Sequence, residues 1–451
     1  MKKLLSLGVI CVVAVITVSC SAWIDPKINI DPNNPSDISP RNAITAIEVA
    51  ASYTIGGDVF RYSSLFTQQN LGFDRQHLGI YQYTFAEGDV STLWQNFYSG
   101  HMKELDAVIS KSTQLGAPHV RGWARVMMAN SLGNLTDVCG DVPFSQAFQG
   151  GANFQPKYDR QEDIYNRIQS LLDSAIVDLN ATVSSLSPGA EDLIYAGNLA
   201  RWRRAAWSLK ARYALHLSKR NRMQAATQAL DFASRGINTA AEDFTLVFGA
   251  TDDQSNPIYQ FDQQRNDIRV NINFIRLLNR LNDPRRPLLA RTRGGDSTQL
   301  GAFFASANSP IILMSFAETK FIEAEANLIL GRADAAKTAF TAGVRGGLAS
   351  LGITTVAADA YVAQASVVPA GDLTLERLIE QKYISLYPSN EAWTDWRRTG
   401  LPALTPINGS SVPRRFPYPQ TERDFNAPNW SAAGGSSLRE FLFTRVWWDA
   451  Q

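Results

Sequence analysis

The chain has 451 residues, of which 45% are apolar and 19% charged, enough to bury a large core and too apolar for a disordered chain. Its 43 Lys and Arg balance 42 Asp and Glu, leaving a net charge of +1. With no strong field to gather phosphates, nucleic acid is excluded as a partner class, as is electrostatic capture by an anionic membrane.

In chain order, Lys2 and Lys3 precede an apolar run over residues 4–18, shorter than the roughly 20 residues that span a bilayer. The run reads as a signal peptide covering 1–19. It ends at Thr17-Val18-Ser19-Cys20, an arrangement that resembles a bacterial lipoprotein cleavage site, with Cys20 becoming the acylated first residue. Ordinary cleavage nearby would instead leave Cys20 a plain thiol. Cys11 lies inside the apolar run, so the mature chain keeps Cys20 and Cys139 and has no disulfide framework. Cys139 has no neighbouring His or Cys in the sequence and reads as a buried, inert thiol. Several acyl chains on Cys20 would give a stable anchor, where one chain binds only marginally. Residues 20–40, rich in Asp, Asn and Pro, read as a tether. Ser39-Pro40 then reads as a helix start, with proline at the first helical position.

The remaining chain, 41–451, reads as a single, mainly α domain. Met102, Leu105, Val108 and Ile109 recur at helical spacing over 102–114, and Trp123, Val126, Met127 and Leu132 over 120–135, which predicts an antiparallel pair. A second pair is predicted over 162–179 and 199–217, and a further helix over 223–237. From Phe316, two alanine-rich amphipathic helices are broken by Gly331. Small residues on facing helices permit the close approach of tetratricopeptide-like pairs, although no strict 34-residue period is present. Long loops with few short strands are expected at 56–100, 136–160, 238–272 and 283–312, and loops of that length are where function concentrates.

Two of these loops set rings beside hydrogen-bonding side chains, the combination that grips a sugar by its face and its hydroxyls. LGFDRQHLGIYQYTF offers Phe73, Arg75, His77, Tyr81 and Tyr83, and NPIYQFDQQRND offers Tyr259, Gln260, Phe261, Arg265 and Asn266. Each ring could equally be core, and the alternation of Ile80, Gln82 and Phe85 with Tyr81 and Tyr83 suits a strand with one packed face. Catalytic parts are missing: there is no HExxH, GxSxG, GxxxxGK[ST] or GxGxxG. His77, His101, His119 and His216 are scattered singly, and the loop acids Glu87, Asp89, Asp252 and Asp253 cannot be paired across a scissile bond from spacing alone. Asp252-Asp253 matches no EF-hand spacing, so no metal and no cofactor is expected.

The last distinctive stretch, 391–426, reads EAWTDWRRTGLPAL, a polar loop, then VPRRFPYPQTERDFN. Before it, FYSGHMKELDAVI, NSLGNLTDVCGDVPFSQAF, PKYDRQEDIYNRIQSLLDSAI, RWRRAAWSLKARYALHL, FAETKFIEAEANLILG and LIEQKYISLYPSNEAWTDWRRTG follow in order. This ordered set resembles the SusD/RagB family of bacterial outer-membrane lipoproteins. The resemblance implies a tetratricopeptide-like helical lid, lipid-anchored at the cell surface, on a SusC-like TonB-dependent transporter. It implies that irregular loops hold an oligosaccharide, or in some members a peptide, and that no reaction is performed on it. A scaffold lipoprotein of the envelope and a glycan-degrading surface enzyme are the alternatives. Because family members bind different ligands, Trp393, Trp396, Arg397, Arg398, Arg414 and Arg415 are expected to hold loops in place, through arginine bonds to carbonyls or carboxylates and proline-fixed turns, rather than to choose the ligand.

Overall fold

Helix Pro118–Cys139 shows how this sequence produces a stack of helices. Pro118 opens it at a position where its missing N–H costs nothing, and Gly140, at φ 90°, ends it. Two internal glycines would each cost a lone helix about 1 kcal/mol. Here they set the packing distance. A Cβ on Gly122 would fall 2.7 Å from Leu179 of the helix Gln161–Leu179, and one on Gly133 would fall 2.0 Å from the Tyr213 hydroxyl of Leu199–His216.

The computed structural model describes residues 39–450. The expected signal peptide at 1–19, the acylated Cys20 and all but the end of the tether at 20–40 lie outside the described residues. At the first described residues, Pro40–Ala43 forms a 3-10 turn in which the amide of Asn42 donates to Ser39 O at 2.9 Å; Ser39 makes no side-chain cap.

Helices Lys103–Gln114, Pro118–Cys139, Gln161–Leu179, Leu199–His216, Arg222–Ala233, Phe316–Ile329 and Ala333–Ala349 pack each against the next. Leu375–Ser385 closes against the last two. Asparagine and hydroxyl caps start several of them: Asn198 accepts from the amides of Ala200 and Arg201, Asn221 from Gln224, and Ser315 from Glu318. The array is continuous in space even though residues 234–315 intervene between its fifth and sixth members.

Helix makes up 60% and strand 7% of the fold. Four two-stranded antiparallel sheets account for the strands among the described residues. The expected loop at 56–100 is instead largely helical. Ile55–Val59 and Phe60–Phe66 extend the helix Ile44–Thr54, and Arg75–Tyr81, Ser91–Gln95 and Asn96–Met102 follow. The apparent alternation near 80–85 is not a strand. His77 and Ile80 are buried one turn apart on Arg75–Tyr81, after which Tyr83 turns inward at φ 65°. The regions 238–272 and 283–312 carry short elements of their own, including strand Phe244–Val247 on Pro310–Met314 and the hairpin Ala290–Arg293 with Asp296–Leu300, turned at Gly294 and Gly295. No helix among the described residues is long and apolar enough to cross a membrane.

Within the stretch 391–426, residues 391–398 and 412–419 run through the interior, and the loop between them lies at the surface. The Trp393 ring stacks on Phe416 at 5.4 Å, and its Nε1 donates to Pro413 O at 2.9 Å. Arg397 lies between Trp393 and Trp448, with its guanidinium 3.8 and 4.6 Å from the two ring centroids. It donates to Asp137 O at 2.6 Å and Arg414 O at 3.1 Å. Arg398 grips Glu325 with two nitrogens and reaches Asp395 at 2.8 Å. Arg414 holds Asp449, and Arg415 donates to Cys139 O. Arginines thus tie helices and the C-terminal segment to one another, as expected of a stretch that holds loops. Burial pushes the Cys139 thiol up to about 12, which keeps it protonated and unreactive at neutral pH.

Candidate functional site

Three residues bring the two candidate loops together. Asn70–Gly72 pairs antiparallel with Ile268–Val270, with Leu71 opposite Arg269, so the chain after Gly72 and the chain before Ile268 leave the ladder side by side. Buried Asp267 then organises both. Its carboxylate accepts from Arg75 Nε at 2.8 Å and Arg265 Nε at 3.2 Å, and its carbonyl accepts from the Phe73 amide at 2.7 Å. Arg75 also donates to Arg265 O at 2.6 Å. Arg75 and Asn266 sit at φ 48° and 52°, a backbone region that non-glycine residues seldom occupy and that clusters at ligand sites.

Above this hub lies an exposed ring with a cation beneath it. Phe73 is 58% exposed, and Arg269 places its guanidinium 4.4 Å from the ring centroid. Arg269 is in turn fixed by Asn266 O at 2.7 Å and by Asp296 Oδ2 at 3.0 Å, from the hairpin Ala290–Arg293/Asp296–Leu300. Bonds from Thr298 and Gln299, with Arg269, hold the Asp296 carboxyl down to about 2, so it stays an anion. Half-buried Tyr81 accepts from Asn271 Nδ2 at 3.4 Å, and Gln260 accepts from the Tyr53 hydroxyl at 3.0 Å beside half-buried Tyr259.

The ten candidate residues therefore divide. Phe73, Arg75, Tyr81, Tyr259, Gln260, Arg265 and Asn266 keep some exposure. His77, Tyr83 and Phe261 do not: at 2%, 0% and 8% exposed they have no surface to offer, and the core reading of these rings is the right one. His77 packs 4.5 Å from Phe261, and Arg61 covers the other ring at 4.3 Å. Burial, then the nearby Arg61 and Arg265, push the His77 imidazole down to about 3, so it is neutral. Tyr83 accepts from the Ile407 amide at 3.0 Å. The sequence reading missed Asp267, Arg269 and Asp296. Asp267 and Arg269 follow Asn266 closely in NDIRV, but nothing there marks a buried carboxylate or a cation under the ring of Phe73, far earlier in the chain; only the strand pairing does.

Elsewhere, Asp137, His216 and Glu391 bring ligand-type atoms within 4.8 Å of one another in the interior. Protons hold this cluster together. His216 Nε2 meets Glu391 Oε2 at 2.9 Å, and Nδ1 meets the Tyr165 hydroxyl at 2.9 Å, which itself donates to Asp137. Burial opposes charge on the ring, yet Glu391 and Asp137 outweigh it and raise His216 to about 9. Burial likewise opposes charge on Glu391, yet Arg212 and His216 bring it down to about 2. Both ring nitrogens of His216 are thus engaged within the cluster. The loop acids are likewise engaged: Glu87 is bound by Arg423, and Asp89 accepts from the Ala86 amide at 2.8 Å and Gln76 Nε2 at 2.7 Å. Asp252 and Asp253 are exposed on a different segment.

The chain belongs to the SusD-like family, described as starch-binding and associating with the outer membrane, whose profile it matches over residues 32–307 and 297–419. It shares its fold with a SusD/RagB family protein from Bacteroides thetaiotaomicron at 24% identity and a TM-score of 0.78, over 92% of this chain and 99% of that one. A chitin-binding protein is 25% identical with a TM-score of 0.76, over 92% of this chain and all of its own. A chitin-binding SusD homologue from Flavobacterium johnsoniae is 22% identical with a TM-score of 0.73, over 91% and 97% of the two chains. No curated protein sequence matches the chain. The protein is thus a nutrient-binding protein associated with the outer membrane, of a family that performs no catalysis on its ligand.

Proposed function

We propose that this protein captures an oligosaccharide on the face built from Phe73, Arg75, Tyr81, Tyr259, Gln260, Arg265 and Asn266, and delivers it as a lid to a SusC-like TonB-dependent transporter. In this reading residues 1–19 are a signal peptide, lipid on Cys20 anchors the chain at the cell surface, residues 20–40 tether it, and 41–451 form one unit. The observation that supports the ligand site is the pairing of Asn70–Gly72 with Ile268–Val270, which brings the ends of two segments suited to sugar side by side. The exposed Phe73 ring suits the apolar face of a pyranose, and the forked donors of Arg75 and Arg265 suit its hydroxyls. Because two proteins of similar fold are named as chitin-binding, chito-oligosaccharides come first among the ligands to try.

Titration calorimetry of the mature protein with soluble chito- and malto-oligosaccharides tests this reading. Binding without release of shorter sugars is expected, weakened by Tyr81→Ala or Tyr259→Ala. Hydrolysed sugar from pure protein would overturn it. Co-purification with a TonB-dependent transporter encoded beside it tests the lid, and an assembly-machinery partner in its place would support scaffolding.

A further inference from the structure

A second opening lies away from the Phe73 face and shares no lining residue with it. It is a cleft of about 460 Å³ between the helices Lys103–Gln114 and Gln161–Leu179 and the loop that joins strands Val142–Pro143 and Tyr158–Asp159. That volume falls within the roughly 300–1,000 Å³ of small-molecule sites. Two phenyl rings wall it. Phe144 and Phe148 stand nearly perpendicular, at 84°, with centroids 6.1 Å apart.

The loop is held so that these rings stay half out of the core. Asp159 accepts from the amides of Phe144 at 2.8 Å and Ser145 at 2.7 Å, and from Ser145 Oγ at 2.6 Å. Phe148 sits at φ 62°, a conformation disfavoured for an aromatic residue, and its ring rests on Tyr98 at 6.1 Å. Tyr98 is fixed in turn by its bond to Pro143 O at 2.7 Å and by Trp94 at 4.9 Å. A backbone strained to present a ring beside open space, with a carboxylate committed to that loop, is a preformed wall.

The polar groups at the mouth select the ligand class. Asp159 is used up within the loop, and Asp163 faces Arg160 at 3.5 Å. That leaves Arg167, whose guanidinium stands 5.8 Å from the Phe144 centroid and which makes no ion pair among the described residues, and Asp106 opposite it. Asp159 keeps its charge while its oxygens serve the loop, so even with Arg167 set against Asp106 the described lining is weakly acidic and disfavours an anionic ligand. It offers forked donors, an acceptor and two apolar faces, which fit a neutral ring rich in hydroxyls.

We propose that this cleft is a second carbohydrate subsite, in which one of the two perpendicular rings stacks on a pyranose and the other meets its edge, while Arg167 donates to, and Asp106 accepts from, its hydroxyls. Its ligand class rests on the carbohydrate reading of the Phe73 face, while its position and lining do not. A chain that holds a polymer at two separated places gains retention by effective concentration, without tighter contact at either place.

The test uses the full mature chain with chitotetraose and maltotetraose, each too short to be required at both places at once. Calorimetry on the wild type is expected to show two sites for at least one of these sugars. Arg167→Gln and Asp106→Asn, both on exposed side chains that leave the fold unaltered, should each weaken one site by about tenfold and leave the other intact. Phe73→Ala should do the converse. A single site, abolished by Phe73→Ala and indifferent to Arg167→Gln and Asp106→Asn, overturns the cleft and leaves the Phe73 reading standing. If neither sugar binds the intact chain at all, the carbohydrate reading fails for both places.

Discussion

Two sets of arginines beside aromatic rings teach different lessons. Arg397 is fully buried between Trp393 and Trp448 and spends its donors on the carbonyls of Asp137 and Arg414. Arg75 is about half exposed, bound on one side by Asp267 and open on the other, next to the exposed Phe73. The residue types are the same, and what separates them is access: the Arg397 guanidinium is sealed from solvent and the Arg75 guanidinium is not. A sealed arginine is part of the frame, and an open one has donors within reach of a ligand. The most distinctive sequence in the chain thus marks its frame, and the face proposed for recognition is built from less distinctive sequence.

The largest effect should come from the frame. Arg397→Met leaves two buried carbonyls without a donor, which should cost about 3 kcal/mol or more, read as a fall in the thermal midpoint of several degrees. A stable Arg397→Met protein with impaired sugar binding would break the distinction between the two sets. Next is the ion cluster that the frame encloses. His216 rises from an ordinary value near 6.5 to about 9 in the fold, so its contribution is complete below about pH 6.5 and is lost as pH rises through about 9. The loss is on the order of 3 kcal/mol from the size of that shift. His216→Gln should flatten the decline of thermal midpoint between pH 7 and 10. Glu391 works in the other direction: its contribution is present above its unfolded value and is lost only as pH falls toward about 2.

Smaller effects should appear at the recognition face, and there they should separate binding from stability. Phe73→Ala is expected to weaken oligosaccharide binding about tenfold while changing the thermal midpoint little, since the ring is mostly exposed. Tyr83→Phe sharpens the comparison from within the same segment. Removing the hydroxyl that accepts from the Ile407 amide should cost about 1 kcal/mol of stability and leave sugar affinity unchanged. Loss of affinity in Tyr83→Phe would return that residue to the site.

How much of this was legible beforehand follows the physics of each region. The array helices carry long amphipathic repeats, so 102–114 and 162–179 were found to within a residue or so, as Lys103–Gln114 and Gln161–Leu179. Residues 56–100 were not, because their helices are short and buried on several sides, and a segment such as Phe60–Phe66, buried at six of its seven positions, has no polar face to set a period. At the candidate site, residue types pointed to two segments that the strand pairing brings side by side. Which rings faced outward could not be read, since His77 and Phe261 pack against each other across 184 positions of sequence, and a three-residue ladder leaves no pattern of its own.

The insertion of residues 234–315 between two helices that pack together sets the order in which this protein becomes competent. Phe73 is made early, but its partners Asp267 and Arg269 lie on an excursion whose two ends meet only when Arg222–Ala233 docks with Phe316–Ile329. Contacts so distant in sequence form late, after the entropy of closing the intervening loop has been overcome. A chain in which that docking has not occurred therefore carries the ring without the surface around it, and ligand binding at this face would report that the fold is complete.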